Sequence, residues 1–256
     1  MGCTDIIIQS RQFSFPTGIL QQMNALHIAG HHHAIHIQTG IGRALDEIRL
    51  IAVTKFVEIS RILPAVWDGI TEVGENRAQE FTDKYGFFTE HSLIKHFIGT
   101  LQTNKVKYLV GKADLIQSVD REAVLAEVNR IAAKNNIVQP ILIEVNIGAE
   151  EQKSGILPQA LPELLKTASG MPGVLVKGLM CVPPIGSEEA VRPYFARMRE
   201  LFERIKNFES ENVCMQELSM GMSGDYKAAI AEGATYIRVG SAIFGPRNYN
   251  RQAQLR

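Results

Sequence analysis

"DLIQSVDREAVLAEVNRIAAKNNIVQPILIEVN", residues 114–146, holds the pattern that decides the fold. A short apolar run at 114–118 ends in polar residues, a helix-like stretch follows at 121–136, and a β-branched run, "PILIEVN", closes the unit at 140–146. Apolar residues recurring every three to four positions mark a helix, and a compact β-branched run bounded by polar residues marks a buried strand. The same rhythm extends in both directions. Its further strand-like runs are "IRLIAVT" (48–54), "TEVGEN" (71–76), "KHFIGT" (95–100), "VLVKGLMCV" (174–182), "MQELS" (215–219) and "TYIRVG" (235–240). A second long helical stretch lies at 190–208. Eight strands alternating with helices predict an α/β fold, a (β/α)8 TIM barrel over 48–246. An open doubly wound sheet is the competing architecture, and the glycine fingerprint it carries after its first strand is absent.

Bulk composition excludes several function classes. Lys plus Arg equals Asp plus Glu, 27 each, so no charge excess favours nucleic acid or a membrane surface. No apolar run is long enough to span a bilayer, and the first residues lack a secretory pattern. Cys3, Cys181 and Cys214 are scattered without metal or redox spacing, which predicts a reducing, cytoplasmic compartment. Residues 1–47 break the repeat and read as one helical segment ahead of the barrel, with 247–256 as a tail of the same single domain. Five of the seven histidines fall between His27 and His36. His32 and His36 share a helical face, yet no Asp, Glu or Cys joins them, so no metal site is assigned.

Function in such a barrel is read from the residues just past each strand, because those ends form the active-site mouth. Strand one delivers Lys55, and the other ends deliver Glu75-Asn76-Arg77, Gln102 to Lys105, Gln117-Ser118, Asn146, Met180 to Pro184, "SMGMS" and Arg238 to Ser241. Barrel enzymes often hold phosphate between the loops after strands seven and eight. "LSMGMSGD" (218–225) and "RVGSAIFG" (238–245) occupy those places, with glycines for close backbone approach and serines as donors. The plainer reading of the first loop is a helix N-cap by Ser223 or Asp225. Lys55 shares strand parity with Ile51 and Val53, so an inward-facing strand aims its amine at the mouth. A lysine partly buried there is a competent Schiff-base nucleophile. A phosphate-bearing aldehyde joins these two features, and pyridoxal phosphate is such a compound.

The segments "AVTK" (52–55), "GENRAQE" (74–80), "HFIGTLQTNK" (96–105), "QSVDRE" (117–122), "VNIGAEEQKSGI" (145–156), "GLMCVPP" (178–184), "LSMGMSGDYKAAIAEGAT" (218–235) and "RVGSAIFG" (238–245) resemble the YggS/PROSC family of pyridoxal phosphate homeostasis proteins. The resemblance spans 48–246 and implies a barrel like the N-terminal domain of bacterial alanine racemase. It implies that Lys55 carries pyridoxal 5′-phosphate as an internal aldimine. Ser223, Gly240 and Ser241 would bind the phosphate, with Ser219 and Met222 lining that corner. Arg238 would face the pyridine nitrogen and Asn76 would lie close to the ring. Ser241 stands where the family usually has Thr, which keeps the hydroxyl, and "GHHHAIHIQTG" matches the family's first helix poorly.

An arginine opposite the pyridine nitrogen cannot accept a proton, so the ring is a weak electron sink. Alanine racemase resembles this chain in that arginine but adds a tyrosine base from a second domain, and the expectation here is a chain without one. The nearest tyrosines in sequence do not replace it: Tyr226 opens a helix after the phosphate loop, Tyr236 lies near the start of strand eight, and Tyr249 falls beyond the last barrel element. The resemblance therefore implies a monomeric cofactor carrier and regulator with pyridoxal-phosphate-dependent apo-enzymes as partners. The alternative is a weak amino-acid racemase.

Overall fold

The computed structural model describes residues 47–208 and 210–246. The helix expected over 1–47, its histidines, and the tail with Tyr249 lie outside the described residues. Eight parallel strands close into a barrel in sequence order: β1 (Arg49–Val53), β2 (Glu72–Glu75), β3 (Ile94–Phe97), β4 (Leu115–Val119), β5 (Gln139–Glu144), β6 (Val174–Met180), β7 (Val213–Met222) and β8 (Tyr236–Val239). The helices outside it are α1 (Ile59–Trp67), α2 (Ala78–Glu90), α3 (Glu122–Lys134), α4 (Leu161–Ser169), α5 (Glu188–Ile205), α6 (Tyr226–Ala231) and α7 (Ser241–Phe244). The expected α/β barrel is the observed one.

Strand residues sort to two faces because alternate side chains point oppositely. Ile51, Leu115, Leu142, Met180 and Tyr236, from five different strands, meet inside the barrel. Their neighbours in the strands, such as Ile116, Ile141, Ile143 and Leu179, pack outward against Val124, Leu125, Val128 and Leu165 of the helices. A sheet buried on both faces explains why these strands read as continuous apolar runs.

Two local features depart from the sequence pattern. The connection after β3 is a 3-10 turn over Thr103–Tyr108 in place of an α-helix. β7 runs to Met222, so much of "LSMGM" is strand where a loop was expected. Its pairing with β8 shifts register between Ser219 and Met222, and Gly221 has φ +91° there. A side chain at 221 would lie 2.5 Å from the Ala229 methyl, so glycine lets the strand end bulge onto α6.

A second bulge tests the same logic. Gly178 has φ +154°, and β6 shifts register here against both neighbours. A Cβ at 178 would sit 1.8 Å from the Glu217 carbonyl oxygen, whereas one at Gly86, in the exposed middle of α2, meets nothing within 4 Å. Gly178→Ala is expected to lower the unfolding free energy by about 1–3 kcal/mol or to prevent folding. Gly86→Ala should raise it by about 0.5–1 kcal/mol. Urea unfolding of the two variants checks both signs.

Candidate functional site

Parallel pairing brings every strand's C-terminal end to one mouth. β1 lies beside β8 with Ile51 opposite Arg238 and Ala52 opposite Val239, so the segments leaving these strands emerge as neighbours. Lys55 follows β1 in a tight turn closed by Val57 N–H donating to the Thr54 carbonyl at 3.0 Å. Lys55 is half-buried, and Ile51 faces the interior as its parity predicts.

The loops after β7 and β8 are tied together. Gly240 N–H donates to Ser223 Oγ at 3.1 Å, and Met222 N–H donates to Asp225 Oδ1 at 2.5 Å. Asp225 stands at the N-cap position of α6 but makes no side-chain cap bond to that helix. Its carboxylate, shifted upward by burial and restrained by the Met222 N–H, closes the Met222-Ser223-Gly224 turn instead. Ser241 opens α7 at the exposed rim, directly after Gly240. A cavity of about 320 Å³ touches Ser223 to Asp225 from the other side, walled by Leu50 of β1 and by Ile237 and Val239 on the helix-facing side of β8.

Arg238 projects from the opposite face of β8 and is almost wholly buried. Its Nη1 donates to Ser219 Oγ at 2.6 Å and its Nη2 to the Cys181 carbonyl at 2.8 Å. Burial pulls the guanidinium below its usual range, opposed by Cys181, Glu144 and Asp225. Among the described residues no carboxylate forms an ion pair with it. A guanidinium has five N–H donors, so others remain for an acceptor lying over the mouth. Ser219, expected in the phosphate corner, lies beneath Arg238 with its hydroxyl committed.

That hydroxyl begins a chain through the barrel. Ser219 Oγ donates to Gln117 Oε1 at 2.7 Å, and Gln117 Nε2 donates to His96 Nδ1 at 3.1 Å. His96 Nε2 then meets Glu72 Oε2 at 2.9 Å. The imidazole stands edge-on to Tyr236, 5.4 Å between centroids, and Tyr236 lies under the Arg49 guanidinium at the opposite end. Arg49 in turn pairs with Glu217.

Two buried carboxyls lie at the strand ends, Glu75 on the helix-facing side and Glu144 toward the mouth. Glu75, fully buried, is pushed up by desolvation and restrained by Lys84, whose Nζ donates to Oε1 at 2.7 Å. Glu144 at the end of β5 is raised to about 7 by burial and by Asp120, with Arg238 opposing. Glu75 Oε2, Glu144 Oε2 and Asn76 Oδ1 are buried without a hydrogen-bond partner. Thus Lys55, Asn76, Ser223, Arg238, Gly240 and Ser241 all fall at the mouth, Met222 stands at its rim, and Ser219 lies one layer deeper.

Sequence patterning gave no role to His96, Glu72, Glu80, Lys84 or Glu144. Glu75, Glu80 and His96 sit inside quoted segments, and the only local signal for Lys84 is its i+4 spacing from Glu80.

The family described as "Alanine racemase, N-terminal domain" matches residues 31–248. A relative from Aquifex aeolicus, named pyridoxal phosphate homeostasis protein, is 46% identical over 209 residues, covering 81% of this chain and 91% of its own. The chain belongs to the pyridoxal phosphate homeostasis protein family. A solved protein from Bifidobacterium adolescentis superposes with a TM-score of 0.80 at 31% identity, over 84% of this chain and 92% of its own. PipY of Synechococcus elongatus, a structure with pyridoxal phosphate bound, gives 0.72 at 32% identity, over 83% of this chain and 99% of its own. Both solved structures share the barrel with this chain.

Glu144 has a pH signature. Its folded pKa of about 7 lies above its ordinary 4.5, so the folded state holds the proton longer than the unfolded chain. Stability from this group is present below about pH 4.5 and is lost as pH climbs through about 7, by about 3 kcal/mol in all. Glu144→Gln should flatten that fall in cofactor-free protein. Urea midpoints at pH 5 and pH 8 measure the difference between the two proteins.

Proposed function

We infer that this chain binds pyridoxal 5′-phosphate at the barrel mouth and serves as a cytoplasmic carrier and regulator of that cofactor. The observation that carries the reading is Arg238, a buried cation with no carboxylate ion pair among the described residues, placed beside the rim that holds Lys55, Ser223 and Gly240. The residues present fit the group. Arg238 offers uncommitted donors to the lone pair of a pyridine nitrogen, and the orphaned Asn76 Oδ1 lies at the same mouth. The Ser223 and Ser241 hydroxyls offer donors for phosphate, and the Gly240 N–H would join them by exchanging the bond it makes to Ser223 Oγ. Lys55 supplies the amine that joins the aldehyde carbon. PipY, a relative of the same fold, is known with the cofactor bound.

Bound pyridoxal phosphate supplies an electron sink conjugated to the amine it joins. Arg238 donates and cannot accept, which keeps that sink weak. The two described tyrosines nearest the site in sequence are poorly placed as a base: Tyr226 opens α6, and Tyr236 is sealed at the far end under Arg49, with its hydroxyl pushed further up by burial. Burial holds the Cys181 thiol up at about 12. Among the described residues no helix is long and apolar enough to cross a membrane.

Borohydride reduction followed by mass spectrometry should place a pyridoxyl-phosphate adduct on Lys55. An adduct on Lys105 or Lys153 with Lys55 unmodified overturns the assignment. Ser223→Ala and Ser241→Ala should each weaken cofactor retention about tenfold to a hundredfold by equilibrium dialysis, the usual effect of losing a hydrogen bond to a charged group.

The loaded protein should also pass the cofactor to a pyridoxal-phosphate-dependent apo-enzyme while turning over free alanine negligibly. Lys55-dependent racemisation at roughly 1–10³ s⁻¹ would replace the carrier with an enzyme.

A further inference from the structure

The turn that presents Lys55 is held from outside the barrel by one face of α2. Lys84 Nζ donates to the Thr54 carbonyl at 2.8 Å, on the peptide unit before Lys55. Phe56 N–H, on the peptide unit after Lys55, donates to Glu80 Oε2 at 2.7 Å. Glu80 and Lys84 are one helical turn apart and form an ion pair at 3.4 Å. Lys84 is buried and is anchored further by Glu75 Oε1, which also accepts from Thr54 Oγ1 at 2.7 Å. Rotation of the backbone at Lys55 therefore breaks one of two charge-assisted bonds.

The turn itself is visibly constrained. Phe56 has φ +60°, at the third position of a turn where glycine is usual, and a bulky residue there is an outlier. Such a conformation persists when its surroundings over-determine it. Here they do: Glu80 holds the Phe56 amide, and the Arg77 guanidinium covers its ring at 4.6 Å.

We propose that Glu80 and Lys84 are positioning residues for Lys55, clamping the peptide units on either side so that its amine is presented to an aldehyde at the mouth. The proposal rests on the reading of Lys55 as the cofactor-joining residue. The step it serves is a condensation: the amine nitrogen attacks the aldehyde carbon, a C=N bond replaces C=O, and the oxygen leaves as water with the two amine protons. No oxidant or reductant takes part. Orientation matters in that step and not in simple capture of a phosphate, so the clamp should act on bond formation alone.

Pyridoxine 5′-phosphate carries an alcohol where the cofactor has its aldehyde and cannot form the bond. Stopped-flow absorbance with pyridoxal 5′-phosphate then reads bond formation, and calorimetry with pyridoxine 5′-phosphate reads non-covalent capture.

Glu80→Ala and Lys84→Met should slow bond formation about tenfold to a hundredfold, the effect of one lost charge-assisted bond. Affinity for pyridoxine 5′-phosphate should stay within about twofold, the scatter of independent sites. Glu80→Gln and Lys84→Arg should recover most of the rate. Unchanged rates, or equal losses for both ligands without rescue, overturn the clamp.

If Lys84→Met does not fold, Glu80→Ala decides through hydrogen exchange of the Phe56 amide in cofactor-free protein. Loss of its protection supports the clamp and retained protection overturns it. Wild-type protein that yields no reduced adduct at Lys55 overturns the underlying reading. An adduct at Lys55 with variant rates unchanged overturns the clamp alone.

Discussion

The ladder between β1 and β8 is the constraint on which the rest depends. It joins residues almost two hundred positions apart, with Arg49 opposite Tyr236 and Ile51 opposite Arg238. Without it Lys55 and the Gly240 corner would stand at opposite edges of an open sheet. With it, the first and last strands deliver Lys55 and the Gly240-Ser241 corner to the same arc of the rim. Closure also removes both sheet edges, and with them the exposed backbone groups on which a long parallel sheet would aggregate.

Around that closure the molecule treats two buried cations differently. Lys84 is matched at once by Glu75 and Glu80, and it works as a structural tie. Arg238 is met by a hydroxyl and a backbone carbonyl, neutral acceptors that orient it without neutralising it. An unpaired buried charge is costly to maintain, and breaking a buried pair by removing one partner is strongly destabilising. The contrast separates a cation neutralised within the fold from one left with N–H donors to spare. It also explains why the barrel interior is part hydrogen-bonded chain and only part Leu and Ile.

The sequence made the local layer legible and left the long-range layer out. Strand runs, their order and the residues at their ends follow from period and composition, so the barrel and the placement of Lys55, Ser223 and Gly240 at its mouth could be read directly. The limits of β7 could not, because a bulge at Gly221 lets the strand continue through residues whose composition reads as a turn. Nor could the 3-10 turn after β3, where propensity decides little. Ser219 and Gln117 are 102 positions apart, and only closure makes them partners. Lys84 looks like one solvated helix lysine among several until the helix is seated against β2. Composition identifies what can donate or accept, whereas topology decides which groups meet.

The chain from Arg238 through Ser219, Gln117 and His96 to Glu72 has a direction. Every link donates away from Arg238: guanidinium to hydroxyl, hydroxyl to amide oxygen, amide nitrogen to Nδ1, and Nε2 to carboxylate. Aligned bonds polarise one another, so each is strengthened by its neighbours. A row with one sense has a grammar of permitted replacements. Thr can replace Ser at 219, since both accept on one side and donate on the other. Asp at that position cannot, because a carboxylate has no proton to hand to Gln117. A Glu at 117 still accepts from Ser219 but reverses the His96 link unless it carries a proton. Natural variation along the barrel axis should therefore move in sets that keep the arrow pointing the same way, and a reversed member should appear only where its neighbours have reversed with it.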